Sequence, residues 1–283
     1  SYDWMPTAFC FKNWILGKEY MTKQIFPLAL GGLAIGTTEF IIMGLLPDVA
    51  KDLGVSIPIA GHLISAYAFG VVVGAPILVA LSSKFPPKNI LIVYMILFTL
   101  FNALSIVAPD YNTLLMSRFL AGLPHGAFFG VGTIVAIKLS KKGKEAQAVS
   151  SMFTGLTLAI LLLVPLLTYI GHNTSYKWAF LIVSLLGIFT ILALIKFMPK
   201  LKSLKTVTFK EEIEFFLTFK AWHIILIVAI GFGGLFAWFS YIAPLLINVS
   251  KFHPSSISYL MLVAGVGMVV GNILGGYLAD KKD

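Results

Sequence analysis

The sequence predicts an all-α polytopic membrane protein with eight transmembrane helices, on three observations. Of 283 residues, 58% are hydrophobic and only 12% charged, with a mean hydropathy of +0.93, whereas ordinary soluble domains carry about 25% charged residues. The apolar residues fall in repeated blocks of about 20, the length of a helix that crosses roughly 30 Å of hydrocarbon. The charges lie almost wholly in the short gaps between those blocks.

Each span is bounded by its polar neighbours. The first, 25–47, follows Lys23 and is expected to end at Pro47. The second, 61–82, stops before Lys84, and the third, 90–108, lies between Lys88 and Asp110. The fourth, 113–138, runs from Asp110 to Lys138, and the fifth, 148–170, follows Lys144. Lys177 and Lys196 bracket the sixth, 178–198, and Lys220 and Lys251 the seventh, 221–247. The eighth, 256–279, ends before Lys281.

An even number of spans puts both ends of the chain on one side, and lysine placement says which, because positively charged loops stay cytoplasmic. Seventeen of the twenty lysines fall on the side of the termini, and only Lys51, Lys177 and Lys251 fall opposite. Both termini are therefore expected in the cytoplasm, the chain crossing a cell or inner membrane. Four segments are expected: an N-terminal cytoplasmic extension (1–24), a six-helix bundle (25–198), a central cytoplasmic loop (199–220) and a helix pair (221–283). No signal peptide is evident in the first 20 residues, and Met21 opens a more natural start.

The pair repeats the beginning of the bundle. A shift of 197 residues without a gap sets Pro47 on Pro244, Leu63 on Leu260, Gly70 on Gly267, Gly74 on Gly271, Leu81 on Leu278 and Lys84 on Lys281. Parallel repeats of six helices mark a large class of secondary transporters. By that logic four more helices are expected after Asp283, and the chain reads as a fragment or a truncated product.

Several classes are excluded. The net charge of +9 comes from lysines spread through the gaps, with no basic face interleaved with aromatics, which argues against nucleic acid. A single cysteine, Cys10, excludes an internal disulfide and a multi-cysteine metal site. There is no GxSxG, HExxH or P-loop and no cluster of metal ligands, so no enzyme, metal or cofactor is expected. Without a nucleotide site, active transport would draw on an ion gradient.

Two charges remain once the loops are assigned: Glu39 in the first span and Arg118, the sole arginine, in the fourth. A charge near the bilayer centre costs about 2.5–3.5 kcal/mol on insertion scales, so such groups usually face a cavity or a partner. Counting eight residues from Pro47 and eight from Asp110 places both about 12 Å from the outer side. If the helices adjoin, burial favours the neutral acid at Glu39 and the guanidinium favours the carboxylate, an opposition suited to carrying a proton. A static ion pair that fixes packing is the alternative. His125, about 10 Å deeper, either relays protons or hydrogen-bonds a neighbouring helix. Gly122, Gly126 and Gly130 form a small-residue face for close helix contact. Gly31, Gly32 and Gly36 in the first span and Gly231, Gly233 and Gly234 in the seventh read likewise, as flexing or close-packing points.

The stretches LALGGLAIGTTEFIIMGLLPDVAKDLGVS (28–56), SRFLAGLPHGAFFG (117–130) and GLTLAILLLVPLLTYIGHNTSYKWAFLI (155–182) resemble the major facilitator superfamily, in particular its drug:proton antiporter branch of arabinose-efflux permeases and chloramphenicol-resistance exporters. The resemblance covers Met21 to Asp283. It implies a major facilitator fold of twelve helices, two bundles around a central cavity, alternating access and export driven by inward proton flow. It assigns Arg118 to the conserved arginine of the fourth helix and Glu39 to the acidic position of the first. The family's loop between helices 2 and 3 usually reads G-x-L-a-D-R-x-G-R. Here Gly74, Lys84 and Lys88 remain but Ser83 replaces the aspartate, while the second copy keeps Asp280 and Lys281. The glycine-rich helix-5 motif retains Gly155 and Pro165 but carries Leu163 and Leu167.

The resulting expectation is a proton-coupled exporter of small organic molecules, sugars or drugs, with the substrate, protons and the lipid bilayer as its partners, and a monomer if full length. A symporter or facilitator of the same fold and a truncated, non-transporting membrane protein are the alternatives.

Overall fold

The computed structural model describes residues 23–82, 85–202, 214 and 217–280. All regular structure among them is helical, and eight helices are long and apolar enough to cross a membrane. In chain order they are α1 (Phe26–Asp52), α2 (Ile57–Ser82), α3 (Pro87–Val107), α4 (Tyr111–Leu139), α5 (Glu145–Asn173), α6 (Lys177–Phe197), α7 (Phe219–Ser240) and α8 (Ile257–Asp280). Each occupies an expected span, displaced by a few residues at its ends. Most of the N-terminal extension and of the central loop lies outside the described residues.

Two ends depart from expectation for local reasons. α1 does not stop at Pro47 but runs on to Asp52. The proline removes one backbone donor, which a packed membrane helix tolerates. What ends the helix is Gly54 at φ +64: its N–H donates to Lys51 O, and that of Val55 to Ala50 O at 2.9 Å. This is a glycine stop in the left-handed conformation. α7, in contrast, ends at Ser240, and a short turn Ile242–Pro244 leads into a π-turn, Leu245–Val249.

A second π-turn, Ala159–Leu163, lies inside α5 directly before Pro165. Proline cannot donate to the carbonyl one turn back and its ring crowds that carbonyl, and a local widening of the helix relieves both.

α1 lies at the centre of the bundle, with 83% of its apolar window buried. It packs on α5 and α6, with α2 and α4 paired beside it and α3 joining α4 to α6. Glycine makes the two tightest crossings possible. A Cβ at Gly70 or Gly74 of α2 would overlap the carbonyls of Phe119 or Leu123 on α4, and one at Gly155 of α5 would overlap that of Ala29 on α1. Gly122 meets the carbonyl of Tyr67 on α2 in the same way and Gly126 meets the side chain of Ala75, but Gly130 has no described residue within 4 Å, so the small-residue face of α4 is two glycines long. Gly31, Gly32 and Gly36 of α1 abut neighbouring helices. Gly231, Gly233 and Gly234 of α7 have no described residue within 4 Å of where a Cβ would stand, so of the two readings, flexing or close packing, close packing is not found among the described residues.

Two apolar clusters fill the bundle. One, toward the lysine-rich end, includes Leu28, Ile35, Phe98, Phe128 and Leu194; the other includes Phe40, Leu46, Leu114, Val164 and Phe180. Between them lies a thin layer of buried polar side chains: Thr37, Thr38, Asn102, Ser105, Ser117 and Arg118. The outward faces of α3 and α6 expose Val93, Leu100, Val107, Phe189 and Leu192, as a lipid-facing surface requires.

Candidate functional site

The polar layer is organised around Arg118, whose side chain is fully buried. Its position follows from α4: Asp110 caps the helix by accepting the Thr113 N–H at 2.8 Å, and Arg118 stands two turns in. That backbone hydrogen bond holds the Asp110 carboxyl below its ordinary range. The two terminal guanidinium nitrogens donate to Thr38 of α1, one to Oγ1 at 2.8 Å and one to the carbonyl oxygen at 2.9 Å. Thr38 Oγ1 in turn donates to Asn102 Oδ1 of α3 at 2.5 Å, and Asn102 Nδ2 donates to Phe98 O. The guanidinium carbon lies 4.3 Å from the ring centre of Tyr67 on α2, a cation–π contact. Arg118 thus ties four helices together, while its Nε, buried, has no hydrogen-bond partner.

Glu39 follows Thr38 in sequence but faces elsewhere. No ion pair joins it to Arg118, whose hydrogen bonds go to Thr38, so direct pairing of the two lone charges is not what the structure contains. The depth reckoned from Pro47 also shifts: with α1 running to Asp52, Glu39 stands at the midpoint of the helix. His125 stands at the midpoint of α4.

Glu39 and His125 line one cavity of about 220 Å³. α1, α2, α4 and α5 form one wall, and Phe232, Leu235 and Phe236 of α7 with Met268 of α8 form the other. His125 Nδ1 lies 2.9 Å from the Tyr67 hydroxyl, so His125 does hydrogen-bond a neighbouring helix. It also connects the cavity, through one tyrosine, to the Arg118 layer. The rest of the lining is apolar and rich in phenylalanine. Phe40 stacks on Phe236 with ring centres 5.7 Å apart, and Phe129 on Phe153 at 4.8 Å.

The other motif residues lie apart from this cavity. Gly74 is a helix-crossing position within α2. Lys88, in the first turn of α3, donates to Ile195 O and Met198 O at 2.7 Å each, closing the C-terminal end of α6 as a cation there should. Ser83, Lys84 and Lys281 lie outside the described residues, as does the side chain of Asp280. Gly155 sets the α1–α5 crossing and Pro165 follows the π-turn. Nearer the lysine-rich end, Asn272 of α8 exchanges hydrogen bonds with Ser150 of α5, donating to Ser150 O at 3.2 Å and accepting from Ser150 Oγ at 3.0 Å. A third contact reaches Thr154 Oγ1 at 3.3 Å.

Sequence reasoning missed Thr38, Tyr67 and Asn102. A signal existed for two of them: Tyr67 is the lone tyrosine of α2, and Asn102 the lone amide deep within α3.

The family profile of the Major Facilitator Superfamily matches residues 28–283. The "Inner membrane transport protein YdhP" of Escherichia coli (strain K12) is 42% identical over 91% of this chain and 66% of its own length. The chain thus spans just under two thirds of that relative. A "Probable sugar efflux transporter" of Helicobacter pylori is 30% identical over 94% of this chain and 68% of its own length. Among solved structures, a D-xylose-proton symporter superposes with a TM-score of 0.65 at 17% identity, covering 93% of this chain and 70% of that one, a likeness of fold.

Proposed function

We propose, since the chain belongs to the Major Facilitator Superfamily, that it acts in secondary active transport, exporting a small organic molecule in exchange for protons by alternating access. The observation that carries this reading is the placement of Glu39 and His125. These two titratable side chains, each at the midpoint of its helix, face a cavity whose opposite wall is built by α7 and α8. A substrate or a proton there is reached by moving one helix set against the other, and the Ser150–Asn272 contact is a hydrogen-bonded joint that such a movement breaks.

In this mechanism Glu39 takes up the proton. Arg118 is the fixed element: a cation held by Thr38 and by the face of Tyr67 biases the charge state of the cavity without leaving its place. His125 transmits between the two, because its ring lines the cavity while its Nδ1 meets the Tyr67 hydroxyl. The gradient supplies the energy, with no cofactor. The protein resides in a cell or inner membrane, as a monomer if full length, with both ends of this sequence cytoplasmic, an orientation supported by the seventeen lysines on that side.

The test uses everted membrane vesicles with an imposed pH gradient. The wild type is expected to release protons from the lumen when substrate is added, and Glu39→Gln to abolish that release. Unchanged coupling in the variant would remove Glu39 from the mechanism. Solute that moves down the proton gradient together with protons would replace export by symport in the same fold.

A further inference from the structure

We infer that Tyr67 is a positioning residue that fixes the ring proton of His125 on Nε2, so that the histidine acts in the cavity as a hydrogen-bond donor and leaves Glu39 to carry the proton. The tautomer stands on the geometry of the six-helix bundle alone. Its bearing on transport rests on the reading that the cavity holds the transported molecule.

The donor follows by elimination. Tyr67 is 3% exposed, and His125 Nδ1, at 2.9 Å, is the hydrogen-bond partner its hydroxyl has among the described residues. That bond can run in two directions. If Nδ1 carried the proton, in a neutral or a cationic ring, it would donate to the hydroxyl oxygen and strand the hydroxyl proton in the interior without an acceptor. A buried donor left unpaired costs more than the bond itself supplies. Tyr67 therefore donates, Nδ1 accepts, and the ring proton sits on Nε2.

The hydroxyl is not free to turn elsewhere. Gly122 of α4 approaches the Tyr67 carbonyl so closely that a Cβ there would overlap it, which pins α2 at this residue. The ring lies 4.3 Å from the Arg118 guanidinium carbon, and that guanidinium is itself held by Thr38. Arg118 thus reaches His125 without touching it: the guanidinium fixes the ring, the ring aims the hydroxyl, and the hydroxyl sets the imidazole. This gives the buried cation a task that needs no ion pair with Glu39.

On its other side His125 lies 5.3 Å from the ring centre of Phe129 and lines the cavity. Nε2 stands across the imidazole from Nδ1, so its N–H is directed away from Tyr67. Any group that meets it must accept, whether a carbonyl, a hydroxyl oxygen or a carboxylate. A donor fixed in this way keeps its charge through the cycle.

The experiment is solid-state nitrogen NMR on the protein of these 283 residues in lipid nanodiscs near neutral pH, with the histidine ring nitrogens isotopically labelled. The other four histidines are exposed, and His62→Gln, His172→Gln, His223→Gln and His253→Gln together leave His125 as the single source of signal. If that chain fails to fold, the difference between the unvaried protein and His125→Gln gives the same assignment. Protonated and unprotonated ring nitrogens resonate far apart. The expected spectrum shows Nδ1 bare and Nε2 protonated, at least about fivefold in excess over the other form, the ratio that a stranded buried donor imposes. Tyr67→Phe keeps a ring beside Arg118 and removes the hydroxyl, and a mixture of the two tautomers is expected there. A proton on Nδ1 with Tyr67 in place would overturn the inference, a reading that needs no variant at Tyr67. So would an unchanged single tautomer in Tyr67→Phe, which would leave the tyrosine with packing alone. Proton exchange is read separately in everted vesicles. Its absence with Nε2 protonated removes the coupled mechanism and leaves the inference standing, whereas exchange with a proton on Nδ1 does the reverse.

Discussion

The first two helices and the last two share a sequence pattern at a spacing of 197 residues, yet among the described residues they have different neighbours. α1 has 83% of its apolar window buried and α7 has 6%. Gly70 and Gly74 of α2 lie against the backbone of α4, whereas their counterparts Gly267 and Gly271 of α8 have nothing within 4 Å of a built Cβ. Gly54, at φ +64, closes α1, and its counterpart is Lys251, which holds φ +59 with a side chain attached. Pro47 sits inside an unbroken α-helix while Pro244 opens onto a π-turn. The first pair stands among its partner helices α4 and α5, whereas the second closes a chain that spans about two thirds of its relatives, and the differences in burial and glycine contact are those of the described residues alone.

Substitutions at paired positions test this directly. The largest effect is expected at the crossings: Gly74→Leu should prevent recovery of folded protein, because its side chain would occupy the backbone of α4, and overpacking of this kind costs about 1–3 kcal/mol or more. In a protein made of these 283 residues, Gly271→Leu should leave yield and melting temperature unchanged in size-exclusion and thermal-shift assays. Equal damage at both sites would break the comparison.

Next comes the polar layer. Thr38→Val removes an acceptor from a buried cation and should cost about 1–3 kcal/mol, the penalty of an unsatisfied buried group. Its counterpart Leu235→Val in α7 should lower the denaturation midpoint far less. The turns follow: Lys251→Gly should stabilise and Gly54→Lys destabilise, each by about 1–2 kcal/mol, since a left-handed conformation costs an L-residue about that much.

The smallest effect is expected where the partners of the two pairs begin. α4 starts with a capping Asp110, whereas Lys144, before α5, makes no side-chain cap. Asp110→Ala should lower stability slightly near neutral pH. Because the folded carboxyl sits below its unfolded range, its contribution is present above about pH 4 and is lost as pH falls further, so wild type and variant should converge in acid. A difference that widens in acid would contradict the cap.

The eight spans were legible because each apolar block is as long as a bilayer is thick, and Glu39 and Arg118 were legible because charge is rare there. What they touch was not. Arg118 meets Thr38 and Tyr67 through the rotation of α1 and α2 about their axes, and helices that are apolar on every side carry little record of rotation. Glu39 and Thr38 are neighbours in sequence, but one residue turns the helix by about 100° and sends them to different surroundings. The phenylalanines of the cavity come from four different helices, so no single stretch announces them. The end of α1 was misplaced because Pro47 is the more conspicuous residue, while Gly54 makes the stop.

The π-turn at Ala159–Leu163 has a consequence for chain length. A π-turn holds one residue more than the α-turn it replaces, so α5 behaves as an α-helix carrying a one-residue insertion. That insertion lies where α8 crosses most closely, with Gly265 packed on the backbone of Leu161. In an alignment with a sequence that winds α5 regularly, the site would read as a gap of one. Removing one residue from this turn would let α5 wind regularly and keep Thr168 on the face it now presents to Gly44 of α1, whereas removing one from the regular turns beyond it would carry the rest of the helix about 100° around its axis.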